Sequence, residues 1–573
     1  MKFIISLIAV IGFSISLQSQ NVNVGWALSV GASGYDYGYS MTMDNEGNLY
    51  ILGVFELTVD FDPGDDVYNV TSSIGGKDLY IQKLNSDGNF QWVKTVGGAW
   101  ANFIGTDITL DSLGNIIVTG LFNGTADFNP GTDSLFYSSN GPELDGFVLK
   151  LDNEGGFLWT HVLDGQLSNN YTSIAVDSIN NIYLTGEYQD TIDFDPGSAT
   201  LNLISNGGKD IFIQKLNSEG ELIWVKSLGG SNDSEYQTDR VNCITLNSSE
   251  GLYISGSYYD TVDFDPGTNE FGLTSNGGAD GFVLKLNLDG EFIWAFSLGG
   301  IEDDYCNEVK IDHSEKLVII GVFQDLIDID PGTDEFNLSS IGNFDGYILK
   351  TNLESDFIWA RSFGGTGNDG ASNIDFDSLN NIYLTGNFEE TVDFDPGTAV
   401  YNLTSVNQPD IFVLKLDSIG EFKWVKNFTG GTSLKSPGSI IVNEAGSSIY
   451  LNGTFTRTVH FDPNSENFDL TSIEMSFDAF IVKLQEESNV IKEISDEPLL
   501  SIYPNPSDGH LTIEFKSLQE VDIKMFNLSG QVVYSQEGIN AISHQFEVDE
   551  PSGIYILEIS SPKFKQYYKV FLE

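Results

Sequence analysis

The stretch "IDFDSLNNIYLTGNFEETVDFDPGTAVYNLTSVNQPDIFVLKLDSIGEFKWVKNF" (374–428) contains one full unit of the chain. "IDF" opens a strand, "DSLNN" is a turn and "IYLTGNF" is a second strand. "TVDFDPG" and "VYNLTS" form a long connection that reads as a small hairpin. "DIFVLKL" is the third strand, "DSIGE" a turn and "FKWVKNF" the fourth. β-Branched and aromatic residues fill the strands; Gly, Asn, Asp and Ser bound them. "IYL" and "IFVLKL" are apolar without alternation, which suits a sheet covered on both faces. No segment has the 3.6-residue period of a substantial helix.

The unit repeats. Trp26, Trp92, Trp159, Trp224, Trp294, Trp359 and Trp424 recur every 65–70 residues. "TVDFDPG" stands at 58–64, 261–267 and 391–397, with variants at 125–131, 191–197, 326–332 and 458–464. Such self-similarity predicts a repeat architecture. The last unit stops at "AFIVKL" (479–484) without a Trp strand, and an orphan Trp strand, "GWALSVGASG" (25–34), precedes the first. Residues 25–31 are therefore expected to pair with 479–484, removing an exposed edge. The expected fold is all-β: a seven-bladed β-propeller over 21–484, its last blade closed by the N-terminal strand. A linear solenoid, the alternative, would not need complementary half-units. The runs "DIFIQKLNSEGELIWVKSLGG" (210–230) and "DSLNNIYLTGNF" (377–388) resemble the SBBP-type β-propeller repeat of exported bacterial proteins. That family carries no single known activity.

Composition narrows the function. The 573 residues include 83 Asp+Glu against 26 Lys+Arg, a formal net charge of −57. This charge repels phosphate backbones and anionic membrane surfaces, so no nucleic-acid partner is expected. "MKFIISLIAVIGFSISLQSQ" (1–20) reads as a secretory signal peptide over 1–19, and no later segment approaches the ~20 apolar residues of a spanning helix. Cys243 and Cys306 are the only cysteines. They allow no disulfide scaffold or CxxC motif, and leave open a single bridge. The five histidines, His161, His313, His460, His510 and His544, occupy unrelated repeat positions. No HExxH, GxSxG or P-loop is present. No catalytic, cofactor-binding or metal residue is singled out, and no acid pair stands out from the repeating background.

The recurring acids have a structural reading. In Asp-Pro-Gly, Pro presets φ, Gly takes the next position, and Asp accepts hydrogen bonds from the turn. Asp62, Asp195, Asp265, Asp330, Asp395 and Asp462 fill this place, and Asn129 fills it without charge. Asp60, Asp127, Asp193, Asp263, Asp328 and Asp393 stand two positions earlier, where His460 breaks the series. Repeated Ca²⁺ sites are the alternative, since hard cations take oxygen ligands. Asp78, Asp145, Asp210, Asp280, Asp345, Asp410 and Asp478 open each third strand, and Lys83, Lys150, Lys215, Lys285, Lys350, Lys415 and Lys483 close it. The lysines read either as charge pairs between blades or as snorkelling strand ends. Strand direction puts the long "DPG" and "GG" connections on one face, where function is expected, above all at 231–242.

After a charged linker (485–498), the segment 499–573 reads as a small β-sandwich. Tyr503-Pro504-Asn505-Pro506, Gly509, Asn527-Leu528-Ser529-Gly530, Gly553-Ile554-Tyr555 and Lys569-Val570 closely resemble the type A C-terminal sorting domain of the type IX secretion system of Bacteroidota. The resemblance implies the type IX machinery as partner, transit through the periplasm, and a product at the cell surface or released. The expected function is a non-catalytic binding or adhesion propeller with an extracellular glycan or protein ligand. A polysaccharide-active hydrolase or lyase, and a structural surface component, are the alternatives.

Overall fold

The computed structural model describes residues 22–486 and 500–572, apart from 65, 141–142, 198, 231–237, 407–408, 431–434, 463–467, 528–530 and 562–563. The expected signal peptide, most of the expected linker and most of the long loop at 231–242 lie outside the described residues. The chain divides into two compact units, Met1–Glu487 and Ser488–Glu573.

The first unit is built from antiparallel four-stranded sheets. In the first sheet Tyr37–Met43, Leu49–Phe55, Asp78–Leu84 and Phe90–Val96 are bonded in chain order. The arrangement recurs in sheets that begin at Asn102, Asn170, Arg240, Tyr305, Gly370 and Lys435. The middle strands are apolar on both sides because both sides are covered: every residue of Leu49–Phe55 and of Asp145–Leu151 is buried.

The "DPG" phrase is architectural. Thr58–Asp60 pairs with Asn69–Thr71 as a hairpin, and Thr391–Asp393 with Asn402–Thr404. The hairpin clamps the preceding sheet. Gly364 and Gly365, at the end of one fourth strand, pair with Asp393 and Val392 of the next hairpin. Phe394 is fully buried there, its ring 5.6 Å from that of Phe363. Burial of such a side chain is worth about 2 kcal/mol. The double glycine is a packing requirement: a Cβ at Gly98 would stand 2.0 Å from Thr125 O, and one at Gly97 2.1 Å from Asp78 Cγ.

The expected terminal pairing is present. Val22–Val30 runs antiparallel to Phe477–Glu486, from Val22 opposite Glu486 to Val30 opposite Ala479. Gln485 and Glu486 thus belong to the strand, two residues past the expected linker boundary, because each still has a partner across the ladder. The completed sheet packs on the first: Gly38 N donates to Thr454 Oγ1 at 3.2 Å, Asp36 N to Phe477 O at 2.8 Å and Met41 N to Ser439 Oγ at 3.2 Å.

The second unit is also all-β. Instead of two separate sheets, its described strands form one hydrogen-bonded sheet: Leu500–Tyr503, His510–Asn527, Val532–Glu547, Gly553–Ser561 and Phe564–Leu572. Register shifts interrupt the long strand His510–Asn527 between Glu514 and Gln519. Leu511 and Ile513 before the break and Ile523 and Met525 after it enter one core with Leu557 and Val570. One bent strand thereby does the work of two layers. Asn505 of "YPNP" fastens this unit's start to its last strand, donating to Lys569 O at 2.9 Å and accepting from Phe571 N at 2.8 Å.

Deleting 21–31 removes Val24, Trp26, Leu28 and Val30 from their cores, at about 2 kcal/mol each, and bares the strand Phe477–Glu486. The expected result is a lower melting temperature with concentration-dependent aggregation, measured by calorimetry and light scattering. An unchanged melting temperature contradicts the closure.

Candidate functional site

Most recurring charges are consumed by the joints between sheets. Lys150 Nζ lies 2.9 Å from Asp111 of its own sheet and donates to Ser218 O of the next at 3.1 Å. The indole of Trp159 donates to the same carbonyl at 3.2 Å. Lys215 and Trp224 share Leu288 O in the same way, at 3.1 and 3.3 Å. Lys350 joins Asp312 at 2.7 Å and Ser418 O at 3.1 Å. The lysine therefore bridges sheets: Lys150 and Lys350 pair with an acid of their own first turn and reach a backbone carbonyl of the neighbour, whereas Lys285 pairs with Glu354 of the next sheet at 2.7 Å as well as reaching Leu353 O at 3.1 Å. Burial opposes the charge on Asp111 and Asp312, yet their lysines and turn amides hold both carboxyls below the usual range. Tyr50, Tyr183, Tyr253, Tyr383 and Tyr450 add ring faces 4.7–5.4 Å from the ammonium groups. At the seam Glu486 takes the carbonyl's place, accepting from Lys415 at 2.8 Å and Trp424 Nε1 at 2.7 Å.

The hairpin acids are turn formers. Asp62 Oδ1 accepts from Gly64 N at 2.9 Å, Asp395 Oδ1 from Gly397 N at 2.8 Å, and Asn129 Oδ1 from Gly131 N at 2.8 Å. The earlier acid braces the hairpin: Asp393 Oδ1 accepts from Asp395 N at 3.1 Å and Tyr401 N at 2.8 Å. His460, which breaks that series, bonds Asp469 at 2.8 Å.

On the same face, pairs of buried carboxylates meet at the joints. Asp304 accepts from Gly300 N at 2.5 Å and Gln324 N at 3.0 Å, and faces Asp280, which opens a third strand. Burial first, then the neighbouring acid, pushes Asp304 up to about 7; burial takes Asp280 to about 6. Asp36 with Asp478, Asp239 with Asp210, and Asp369 with Asp345 repeat the pair, each carboxyl at about 6 or 7. Asn169 replaces one member and donates to Asp145 Oδ1 at 3.0 Å. The first member escaped the sequence reading, although an acid just before the first strand ("YDYG", "DDYC", "NDGA") was a usable signal.

The first strands line a central shaft with a cavity of about 540 Å³. Each first strand carries a bulge, for example between Gly105 and Asp107 and between Cys306 and Glu308. The bulge turns one polar side chain toward the next sheet. Asp107 accepts from Ile174 N at 3.0 Å and from Ser40 and Ser173 hydroxyls at 3.2 Å. Glu308 accepts from Ile374 N at 2.7 Å, and Asp375 from Val442 N at 2.6 Å. Lys310 lies 3.3 Å from Glu308 and donates to Ile374 O at 2.6 Å. Burial opposes its ammonium, but Glu308 and Asp375 hold it above the usual range. Most polar side chains of the shaft wall satisfy one another; the Thr172 hydroxyl is buried without a partner. Cys243 and Cys306 are free, buried thiols in neighbouring sheets, and burial pushes both up.

A second cavity, of about 400 Å³, opens beside Asn170, Thr172, Glu187, Lys209, Thr238 and Arg240. Lys209 and Thr172 have counterparts in Lys77 and Thr106, but Arg240 and Glu187 do not recur in the other units. It lies among the long connections, at the foot of the loop where function was expected.

The family model of the secretion system C-terminal sorting domain matches residues 501–573. The chain is therefore a secreted cargo protein, exported by the type IX secretion system to the cell surface or extracellular space. The chain is 24% identical over 540 residues to an uncharacterized WD repeat-containing protein of Acanthamoeba polyphaga mimivirus, covering 81% of this chain and 38% of the relative. It is 22% identical over 267 residues to the regulatory protein FlaEY of Caulobacter vibrioides, covering 44% of this chain and 26% of that protein. The chain thus spans less than two fifths of either relative's length.

The raised carboxyls fix a pH dependence. Their folded values of about 6–7 exceed the unfolded 3.8, so the folded state keeps protons that the unfolded state has lost. Stability should then fall as pH rises from about 4 to about 7 and level off above. Melting temperatures at constant ionic strength should be higher at pH 5 than at pH 8. Asp304→Asn, which copies Asn169, should flatten that slope; an unchanged slope rejects the buried pairs as its source.

Asp395→Asn should change stability by no more than about 0.5 kcal/mol, because Asn129 already makes the same turn bond. EDTA should leave the melting temperature in place. A large EDTA-induced loss that Ca²⁺ restores would assign the hairpins to metal binding.

Proposed function

We propose that residues 21–484 are a seven-bladed β-propeller of SBBP-type repeats, and that 499–573 deliver it as a non-catalytic binding or adhesion module. The terminal strand pairing and the packing of last sheet on first support the closed ring. One observation carries the binding role: the recurring acids are committed to turns and joints, whereas the loop-face cavity gathers polar residues with few internal partners. The same cavity favours the second reading, a polysaccharide hydrolase or lyase. A glycosidase of the ordinary kind needs two carboxylates flanking the bond. Among the described residues Glu187 is the one carboxylate lining this cavity, so binding is the reading retained.

The propeller needs nothing from 499–573 to complete its sheets. Removing that segment should leave a folded domain held in the periplasm, while the full chain reaches the outside. Cell fractionation with both chains tests the delivery, and equal extracellular amounts would refute it. Adhesion of cells carrying the full chain to immobilised glycans, compared with cells lacking it, tests the binding role.

A further inference from the structure

The cavity at Asn170, Thr172, Glu187, Lys209, Thr238 and Arg240 sits between two sheets, near the mouth of the shaft with which it shares Thr172 and Asn242. Its size suits a monosaccharide, since small-ligand sites begin at about 300 Å³. Its described lining residues include two cations, Lys209 and Arg240, and one acid, Glu187, in a chain with 83 acids against 26 bases. Arg240 is exposed, forms no ion pair among the described residues and makes one long bond from Nε, 3.4 Å to Thr238 Oγ1. Lys209 Nζ lies 3.6 Å from Glu187 Oε2. Asp239, next to Arg240 in the chain, also acts on Glu187, but its buried carboxylate is held by Gly230 N at 3.0 Å and Tyr259 N at 3.3 Å, whereas the Arg240 guanidinium lines the cavity. The Thr172 hydroxyl lining the cavity is buried without a hydrogen-bond partner. Asn170 Oδ1 is occupied by Glu187 N at 2.7 Å. That bond leaves the Asn170 amide nitrogen as a donor.

A guanidinium, an ammonium, an amide and a hydroxyl thus converge on one space. A guanidinium fork matches a planar carboxylate by two parallel bonds. The surrounding charge of −57 opposes any dense polyanion, so local attraction competes successfully only for an isolated anionic group on a small polar body. We propose that this cavity binds the carboxylate of an acidic sugar, a uronate or similar unit, with Arg240 and Lys209 as its anchors. The inference rests on the binding-module reading and gives that module a ligand class.

The test is calorimetric titration of the full secreted chain with glucuronate, glucose, inorganic sulfate and polygalacturonate. Glucuronate should bind and glucose should not. Arg240→Gln and Lys209→Gln should each weaken glucuronate about tenfold or more, as loss of a charge-assisted bond does. Glu187→Gln should strengthen it by removing the competing carboxylate. Each variant's melting temperature checks folding, and the opposed sign of Glu187→Gln separates ligand binding from damage. Polygalacturonate should bind no more tightly per residue than glucuronate. Equal binding of glucose and glucuronate, absence of glucuronate binding, indifference to both cation substitutions, or sulfate bound as tightly as glucuronate would each overturn the proposal. Adhesion that persists without glucuronate binding would overturn this inference alone; glucuronate binding without adhesion would overturn only the adhesive role.

Discussion

Each four-stranded sheet is apolar on both faces, so no sheet can be an end. A strand such as Leu49–Phe55, buried at every position, needs a neighbour on either side. The other features follow from this need. The hairpin of one sheet must reach the fourth strand of the one before, and side-chain-free glycines must stand where it arrives. A lysine must cross to the next turn, and the first and last sheets must meet. The hydrophobic term supplies the drive, and the repeated polar bonds set the spacing and register at which it is collected.

The acidic composition looks like a binding signal and is largely a structural one. Hairpin acids hold turns, first-turn acids neutralise the bridging lysines, and paired acids cap the joints by accepting backbone amides. These last carboxyls are retained at a cost in charge burial, and the chain tolerates Asn169 in their place. What distinguishes the Glu187–Lys209–Arg240 cavity is that its charges are not spent this way.

The period, the turns, the hairpin and the terminal pairing were legible because they depend on local residue type and on spacing along the chain. Asn129 in the place of Asp62 was enough to read that acid as a turn former. The lysine partners were not legible in full: a backbone carbonyl such as Ser218 O carries no letter in a sequence. The bulges that turn Asp107 and Glu308 toward the next sheet were hidden for the same reason, since one extra residue in a strand leaves composition unchanged. In the tail, strand content was readable, but the bend that lets one strand serve both sides of a core is a matter of register. The cavity near Arg240 combines residues from 170 to 240, and only the packing of two sheets brings them together.

Val22–Val30 and Phe477–Glu486 lie more than 440 residues apart, yet they share one ladder. Contacts of such sequence separation form late, after the loop-closure entropy of the intervening chain has been met. Until Phe477–Glu486 is made, nothing joins Ser448–Thr456 to the outer strand Val22–Val30, and Lys415 and Trp424 lack the carboxylate that joins them. The two seam strands thus act as a timer on maturation. The intermediate sheets can assemble as they appear, but the last sheet is complete only when nearly the whole first unit is available, so a chain that stops before residue 477 leaves Ser448–Thr456 and Val22–Val30 without the strand that pairs with both.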